Sequence, residues 1–168
     1  RGDRPARALS MTTHVVVLGA GAAGTAAARV LSASDAIAVT LIAHTAEVPY
    51  NRTLVNKGVA IGLLSAEQAA LPSVPSVPIH RDTAQHIDTN ARIVSLASGA
   101  EIPYDALIIA TGSAPRDVDG VVEGAAAAVA AGQLTALHSL DDAVRVQAAL
   151  ARLGVAHIVV FGAGLVAA

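Results

Sequence analysis

Residues 14–31 read HVVVLGAGAAGTAAARVL, and this stretch decides the fold. Val15, Val16, Val17 and Leu18 form a short apolar, mostly β-branched run, the pattern of a strand buried on both faces. Gly19, Gly21 and Gly24 then spell G-x-G-x-x-G, with Ala22 and Ala23 in the variable positions before the last glycine. Thr25–Leu31 is an alanine-rich stretch that predicts a helix. In such a motif the first glycine permits a tight turn, the second lets backbone approach a pyrophosphate, and the third lets helix and strand pack closely. Free N–H groups and the dipole at the helix start favour an anion. Glycines between apolar residues also occur for packing alone. The order strand, turn, helix is what points to a dinucleotide site.

Ala36–Ala43 (AIAVTLIA) reads as a second apolar strand and completes a β-α-β unit, the context the glycine motif requires. An acidic residue for the adenosine ribose is expected about 20 positions past the last glycine. That position is His44, and Glu47 stands three residues further on. Either side chain can hydrogen-bond a ribose hydroxyl, and either is equally compatible with a solvated loop.

Composition narrows the class. The 168 residues are 54% hydrophobic, much of it alanine, which suits closely packed α/β layers with a full core. Aromatic residues are only 2%, and the net charge of −2 offers no electrostatic footprint for nucleic acid. No apolar run approaches the roughly 18 residues that span a bilayer. Residues 1–11 are expected to be a disordered extension, with Met11 as a natural start and no signal-peptide core before it. With no cysteine among these residues, disulfides, cysteine-ligated metals and cysteine redox centres are excluded within them, and no metal site is expected. The expected setting is cytoplasmic.

Val48–Gly58 reads VPYNRTLVNKG. Tyr104–Arg116 reads YDALIIATGSAPR, in which Leu107–Ala110 predicts a buried strand running into Thr111 and Gly112. Together with the glycine turn, these segments resemble the flavoprotein pyridine-nucleotide oxidoreductases, in particular the ferredoxin, rubredoxin and nitrite reductases. The P-Y-x-R-x-x-L-x-K pattern is matched at Pro49, Tyr50, Arg52 and Lys57, with Thr53 and Asn56 where the family usually has proline and serine. The resemblance implies that Arg52 and Lys57 lie along FAD. Arginine suits a diphosphate, and Lys57 takes the catalytic role of stabilising charge on the reduced flavin. It implies that Ala110, Thr111 and Gly112 pass close to FAD, that Arg116 lies on the flavin side, and that backbone near Thr83 and Ala84 reads the adenine edge.

Between these segments, Ser65–Leu71 (SAEQAAL) predicts a short helix capped by Ser65, ended by an extended connector through Pro72, Pro75 and Pro78. Thr83–Asp88, Arg92–Leu96 and Glu101–Pro103 predict a small antiparallel element with a turn at Ser98-Gly99. Gly120–Gly132 reads as a flexible connection without chemistry. Ser139-x-x-Asp142 has capping-box spacing and opens a helix through about Arg152, ended by Gly154. Val155–Phe161 (VAHIVVF) predicts another buried strand entering a second glycine turn at Gly162 and Gly164.

The expected architecture is therefore α/β. A Rossmann-like FAD-binding domain, a three-layer arrangement of parallel sheet plus small antiparallel element, occupies residues 12–120. Residues 121–168 are a connector and the truncated start of an NAD(P)-binding domain. The expected function, implied by the resemblance, is the N-terminal part of an FAD-dependent NAD(P)H oxidoreductase. It passes electrons from nicotinamide through flavin to a small ferredoxin- or rubredoxin-like protein or another acceptor. This chain alone is expected to be inactive, because near-attack geometry between nicotinamide and flavin needs the absent region. A non-catalytic dinucleotide-binding fragment and an NAD-dependent dehydrogenase are the alternatives, and the A-T-G segment and second glycine turn count against the latter.

Overall fold

Strand β1, Thr13–Leu18, is paired on both sides and organises a four-stranded parallel sheet. The helix α1 (Ala22–Leu31) leads to β2 (Ile37–Ala43), which pairs with β1 in register Val15 to Val39 through Leu18 to Ile42. Strand β3 (Ile79–Arg81) joins the outer side of β2. The antiparallel strands β4 (Ala84–Asp88), β5 (Ile93–Leu96) and β6 (Glu101–Pro103) follow, and β7 (Ala106–Ile109) returns to the free side of β1. The spatial order is β3-β2-β1-β7. The computed structural model describes residues 12–44, 49–116, 122–153 and 157–162.

The period-two alternation of a strand sorts β1 between two cores. Val15 and Val17 pack with Val39, Leu41 and Val77 beneath Ala28 of α1. Val16 and Leu18 pack on the opposite face with Ile42 and with Val94 and Leu96 of β5. The layers are thus one helix, a parallel sheet and a small antiparallel sheet. Ala28 is wholly buried, and its single methyl group lets α1 lie close against the strands. At the amino edge Asp105 ties β7 to β1: its carboxylate accepts from the His14 N–H at 2.7 Å, and its own N–H donates to the His14 carbonyl at 2.8 Å.

These layers belong to one of two units, Arg1–Glu47 with Pro72–Thr111. The other comprises Val48–Leu71 with Gly112–Ala168. It holds a π-helical turn at Val55–Val59, a 3₁₀ turn at Glu67–Ala69, and the helices α2 (Ala125–Ala130) and α3 (Leu140–Leu153). Val55, Val59, Ala60, Ala69 and Ala143 form its core, with Tyr50, Leu54, Leu64, Leu137 and Leu140 around them. The Tyr50 hydroxyl accepts from the Leu140 N–H at 3.3 Å and so joins the loop to the start of α3.

Several expectations shift. Helix α1 begins at Ala22 rather than Thr25, because extended backbone at Gly21 and the helix-forming Ala22 and Ala23 start the coil inside the motif. The helix expected over Ser65–Leu71 is a single 3₁₀ turn whose N-cap is Ala66, not Ser65; Ser65 stands one residue earlier, its hydroxyl accepting from the Gln68 N–H while the Gln68 side chain accepts from the Ser65 N–H. The alanine run expected to be a flexible connection folds as α2, since alanine has the highest helix propensity. Strand β3 was not expected; His80 and Arg81 hide it within a three-residue span. The expected strand at Val155–Phe161 is not formed over 157–162, where Val159 is 89% and Phe161 82% exposed. An apolar run becomes a strand only where a neighbour accepts its backbone bonds, and no described strand pairs with it. Residues 1–11 and Gly154 lie outside the described residues. Among those described, no helix is long and apolar enough to cross a membrane.

Candidate functional site

The carboxyl ends of β1, β2, β3 and β7 form one rim, and most of the expected cofactor residues of this unit stand on it. Neighbouring strands bind the chain tightly as it leaves β1. The Gly19 N–H donates to the Ile42 carbonyl at 2.7 Å, and the Ala110 N–H donates to the Leu18 carbonyl at 2.8 Å. Gly19 has φ +101°, and a Cβ there would stand 2.2 Å from the Ala110 carbonyl oxygen. Only glycine accommodates both conditions. A Cβ at Gly24 would stand 1.8 Å from the Gly19 carbonyl oxygen, so the third glycine lets helix meet turn. The buried Thr25 hydroxyl donates to the Ala20 carbonyl at 3.0 Å and holds the loop shut from inside.

Gly21 differs from its neighbours. A Cβ added there would meet no protein atom within 4 Å. It is the N-cap of α1, no side chain caps the helix, and no acidic residue lies in its first turn. Ala22 and Ala23 expose that first turn to solvent. The N-terminal N–H groups therefore face outward beside a backbone stripped of side chain, the arrangement that receives a pyrophosphate. The rim also lies where β1 sends its chain to β2 on one side and receives β7 on the other. Open α/β sheets bind ligands at that switch point. The residues present thus fit the pyrophosphate of FAD.

His44 follows β2 on the same rim and is exposed. Asp82 follows β3 there; its N–H donates to the Ala43 carbonyl at 3.0 Å. Its carboxylate is held below the usual range by the Ser98 side chain and then by the Thr83 N–H. Ala84 opens β4 just beyond, half-buried, with a register irregularity between it and His86. Thr111 leaves β7 beside Gly19. The rim therefore collects Gly19–Gly24, His44, Ala84, Ala110 and Thr111. Glu47 lies outside the described residues.

Arg52, Lys57, Gly112 and Arg116 belong to the second unit. Asn51 shapes the loop carrying Arg52: its Oδ1 accepts from the Thr53 N–H at 3.1 Å and from the Thr53 hydroxyl at 2.7 Å. A proline at position 53 would have no N–H to give, so threonine here carries a bond of its own. Arg52 Nη1 donates to the Ser113 carbonyl at 3.2 Å and lies against the His138 ring, 2.7 Å from Nε2 and 3.4 Å from Nδ1. His138 was not singled out from the sequence; it precedes the Ser139 cap without any motif to mark it. Lys57 is exposed on the π-helical turn, beside a groove of about 390 Å³ lined by Ala60, Ile61, Leu137, Val146 and Leu150. Arg116 is exposed in irregular backbone. Gly162 is exposed with no strand before it, and Gly164 lies outside the described residues.

The expected capping box is formed. The Asp142 carboxylate accepts from the His138 N–H at 3.1 Å and the Ser139 N–H at 2.8 Å, while the Ser139 hydroxyl accepts from the Asp142 N–H at 3.1 Å. Arg145 pairs with the same carboxylate. Burial pushes the Asp142 carboxyl up, but the bonds from Ser139, Arg145 and His138 outweigh it and hold the group below its ordinary value. Among the described residues no three His, Cys, Asp or Glu side chains gather as a metal centre would require.

Several known proteins are similar to this chain in sequence and fold. The biphenyl dioxygenase system ferredoxin–NAD(+) reductase component of Paraburkholderia xenovorans is 29% identical over 163 residues, covering 93% of this chain and 38% of the relative. The NADH-rubredoxin oxidoreductase of Clostridium acetobutylicum is 30% identical over 154 residues, 88% of this chain and 38% of that protein. Among solved structures, the covalent putidaredoxin reductase–putidaredoxin complex superposes with a TM-score of 0.72 at 26% identity, over 82% of this chain and 34% of that one. The chain thus spans little more than a third of the length of these relatives. Residues 13–168 match the family described as pyridine nucleotide-disulphide oxidoreductase, and the chain belongs to that family of FAD-dependent oxidoreductases.

Proposed function

We propose that this chain is the FAD-binding part of a reductase that passes electrons from NAD(P)H through flavin to a ferredoxin- or rubredoxin-like protein. The observation that carries this reading is Gly21, whose open flank lies at an uncapped helix start on the switch point of the sheet. The adenosine ribose is assigned to His44 or Glu47, and the adenine edge to backbone at Ala84. Ala110 and Thr111 lie along the cofactor. Arg52, Gly112 and Arg116 are assigned to the diphosphate and flavin by their motifs, Lys57 is the residue at the reduced flavin, and Gly162 and Gly164 belong to the nicotinamide-binding part. The cytoplasmic setting is part of the same proposal.

FAD, when bound, would supply the redox chemistry that links nicotinamide to the acceptor. The chain's own residues bind and orient it. Backbone N–H groups of Ala22–Gly24 meet the pyrophosphate charge, and the buried Thr25 hydroxyl keeps their turn rigid. The ammonium of Lys57 offers positive charge to a ring that gains negative charge.

Adding FAD to the purified protein and following quenching of flavin fluorescence tests the reading. Saturable quenching, with no comparable response to NAD+, is expected. Tight NAD+ binding with no flavin response would instead favour the single-domain dehydrogenase.

A further inference from the structure

Asp82 sits where the chain leaves the parallel sheet and enters the antiparallel one, and it is bonded to both. Its N–H donates to the Ala43 carbonyl at the end of β2 at 3.0 Å. Its Oδ1 accepts from the Thr83 N–H at 2.6 Å, and its Oδ2 accepts from the Ser98 N–H, in the turn between β5 and β6, at 3.3 Å. Hydrogen bonding by the Ser98 side chain first, and then by these N–H groups, holds the carboxyl below its ordinary value. Both backbone groups of Thr83 are engaged, the N–H by Asp82 and the carbonyl by the Ala97 N–H at 2.8 Å. Those of Ala84 are placed differently. The Leu96 N–H donates to the Ala100 carbonyl rather than back to Ala84, so Ala84 and Leu96 are a non-hydrogen-bonded antiparallel pair. In such a pair the backbone N–H and C=O turn away from the neighbouring strand. Those of Ala84 therefore face the outer side of β4, which is the edge of its sheet.

We propose that Asp82 is a positioning residue for this edge: by tying Thr83 to the Ser98 turn, its carboxylate holds the Ala84 N–H and C=O in the orientation that selects adenine. The inference rests on the FAD reading above, which assigns the adenine edge to Ala84. A donor beside an acceptor on one residue matches adenine, whose N1 accepts and whose 6-amino group donates. Hypoxanthine presents the reverse, an N1–H and a 6-carbonyl. A single peptide unit joins Thr83 to Ala84, so a rotation at Thr83 swings both groups of Ala84 together. The Oδ1 bond fixes the backbone between Asp82 and Thr83, and the Oδ2 bond ties that corner to a turn 16 residues further along the chain. Asp82 thus acts through the backbone it holds and needs no contact with the cofactor itself.

Affinities for FAD and for flavin hypoxanthine dinucleotide, read by quenching of flavin fluorescence, test this. The unaltered protein should prefer FAD roughly tenfold, the scale of one mispaired donor or acceptor. Asp82→Ala should bring that ratio close to one. A general loss of folding would weaken both flavins alike and leave the ratio standing. Ser98→Ala removes only an exposed hydroxyl and so keeps the fold even where Asp82→Ala does not. It should narrow the ratio in the same direction and add nothing on top of Asp82→Ala, because both act through one carboxylate. No preference in the unaltered protein, an unchanged ratio in either variant, or additive effects of the two substitutions overturns this role of Asp82. Amide hydrogen exchange of the apoprotein supplies a second readout. The Ala97 N–H, which Asp82 does not touch, should exchange several-fold faster in Asp82→Ala, since its acceptor on Thr83 is no longer fixed. Unchanged exchange at Ala97 also overturns it. If neither flavin binds the unaltered protein, the FAD reading falls, and the exchange measurement decides by itself whether Asp82 fixes the corner.

Discussion

Gly19 and Ala110 come from the two segments that most distinguish this sequence, and they touch: a Cβ on Gly19 would stand 2.2 Å from the Ala110 carbonyl oxygen. The glycine turn after β1 and the A-T-G segment after β7 are thus one structural feature. Parallel pairing of Leu18 with Ile109 brings both chains out of the sheet at the same level. Each segment is cut to fit the other, and both sit at the mouth of the switch point.

Gly19→Ala and Gly24→Ala should therefore destabilise the fold whether or not cofactor is added. The first sets a side chain at φ +101° against a carbonyl, and the second drives a Cβ to 1.8 Å from another. A cost of roughly 3 kcal/mol each is expected from such strain. Urea unfolding of the apoprotein measures it. Midpoints equal to the unsubstituted protein would mean the turn is looser than its geometry indicates.

Gly21→Val should behave in the opposite way. Its Cβ meets no protein atom, and its φ of −69° suits any residue. Stability should change by less than about 1 kcal/mol, mostly from a poorer N-cap. FAD binding should be abolished, because the branched side chain fills the approach to the pyrophosphate. A Gly21→Val protein that still quenches flavin fluorescence at the same concentrations would remove the cofactor from this turn.

His44→Ala should weaken FAD binding without affecting stability, since the side chain is exposed at the rim. One neutral hydrogen bond to ribose corresponds to about 0.5–1.5 kcal/mol, or several-fold in dissociation constant. Titration of both proteins with FAD reads this directly. Equal affinities would pass the ribose to Glu47.

Asp142→Ala should cost about 1–2 kcal/mol, because two N–H groups at the start of α3 lose their acceptor. Asp142→Asn keeps an acceptor oxygen and should cost less. The folded carboxyl titrates below its ordinary value of 3.8. Its stabilising contribution is then full above that value and lost as pH falls through the depressed one. The gap between the original protein and Asp142→Asn should close on acidification. A gap constant across that range would mean the carboxylate charge contributes nothing to the cap.

The residue order alone determined a good deal. Four apolar residues running into G-x-G-x-x-G specify a buried strand, a turn and a helix, because each glycine answers a steric demand that acts within a few residues. The A-T-G segment, the three short antiparallel strands and the Ser139–Asp142 cap were legible for the same reason: alternation and capping are local rules. Tertiary structure decided what no local rule carries. It put β7 beside β1, so that Gly19 meets Ala110 across a long sequence separation, and it separated Gly21, which faces open space, from Gly19 and Gly24, which face carbonyls. It recruited β3 as an edge strand from three residues with no apolar pattern, and left the apolar run at 157–162 exposed. It also brought His138 to Arg52. An imidazole signals its role only through the group it faces, and here that group lies on a distant loop whose approach is set by packing.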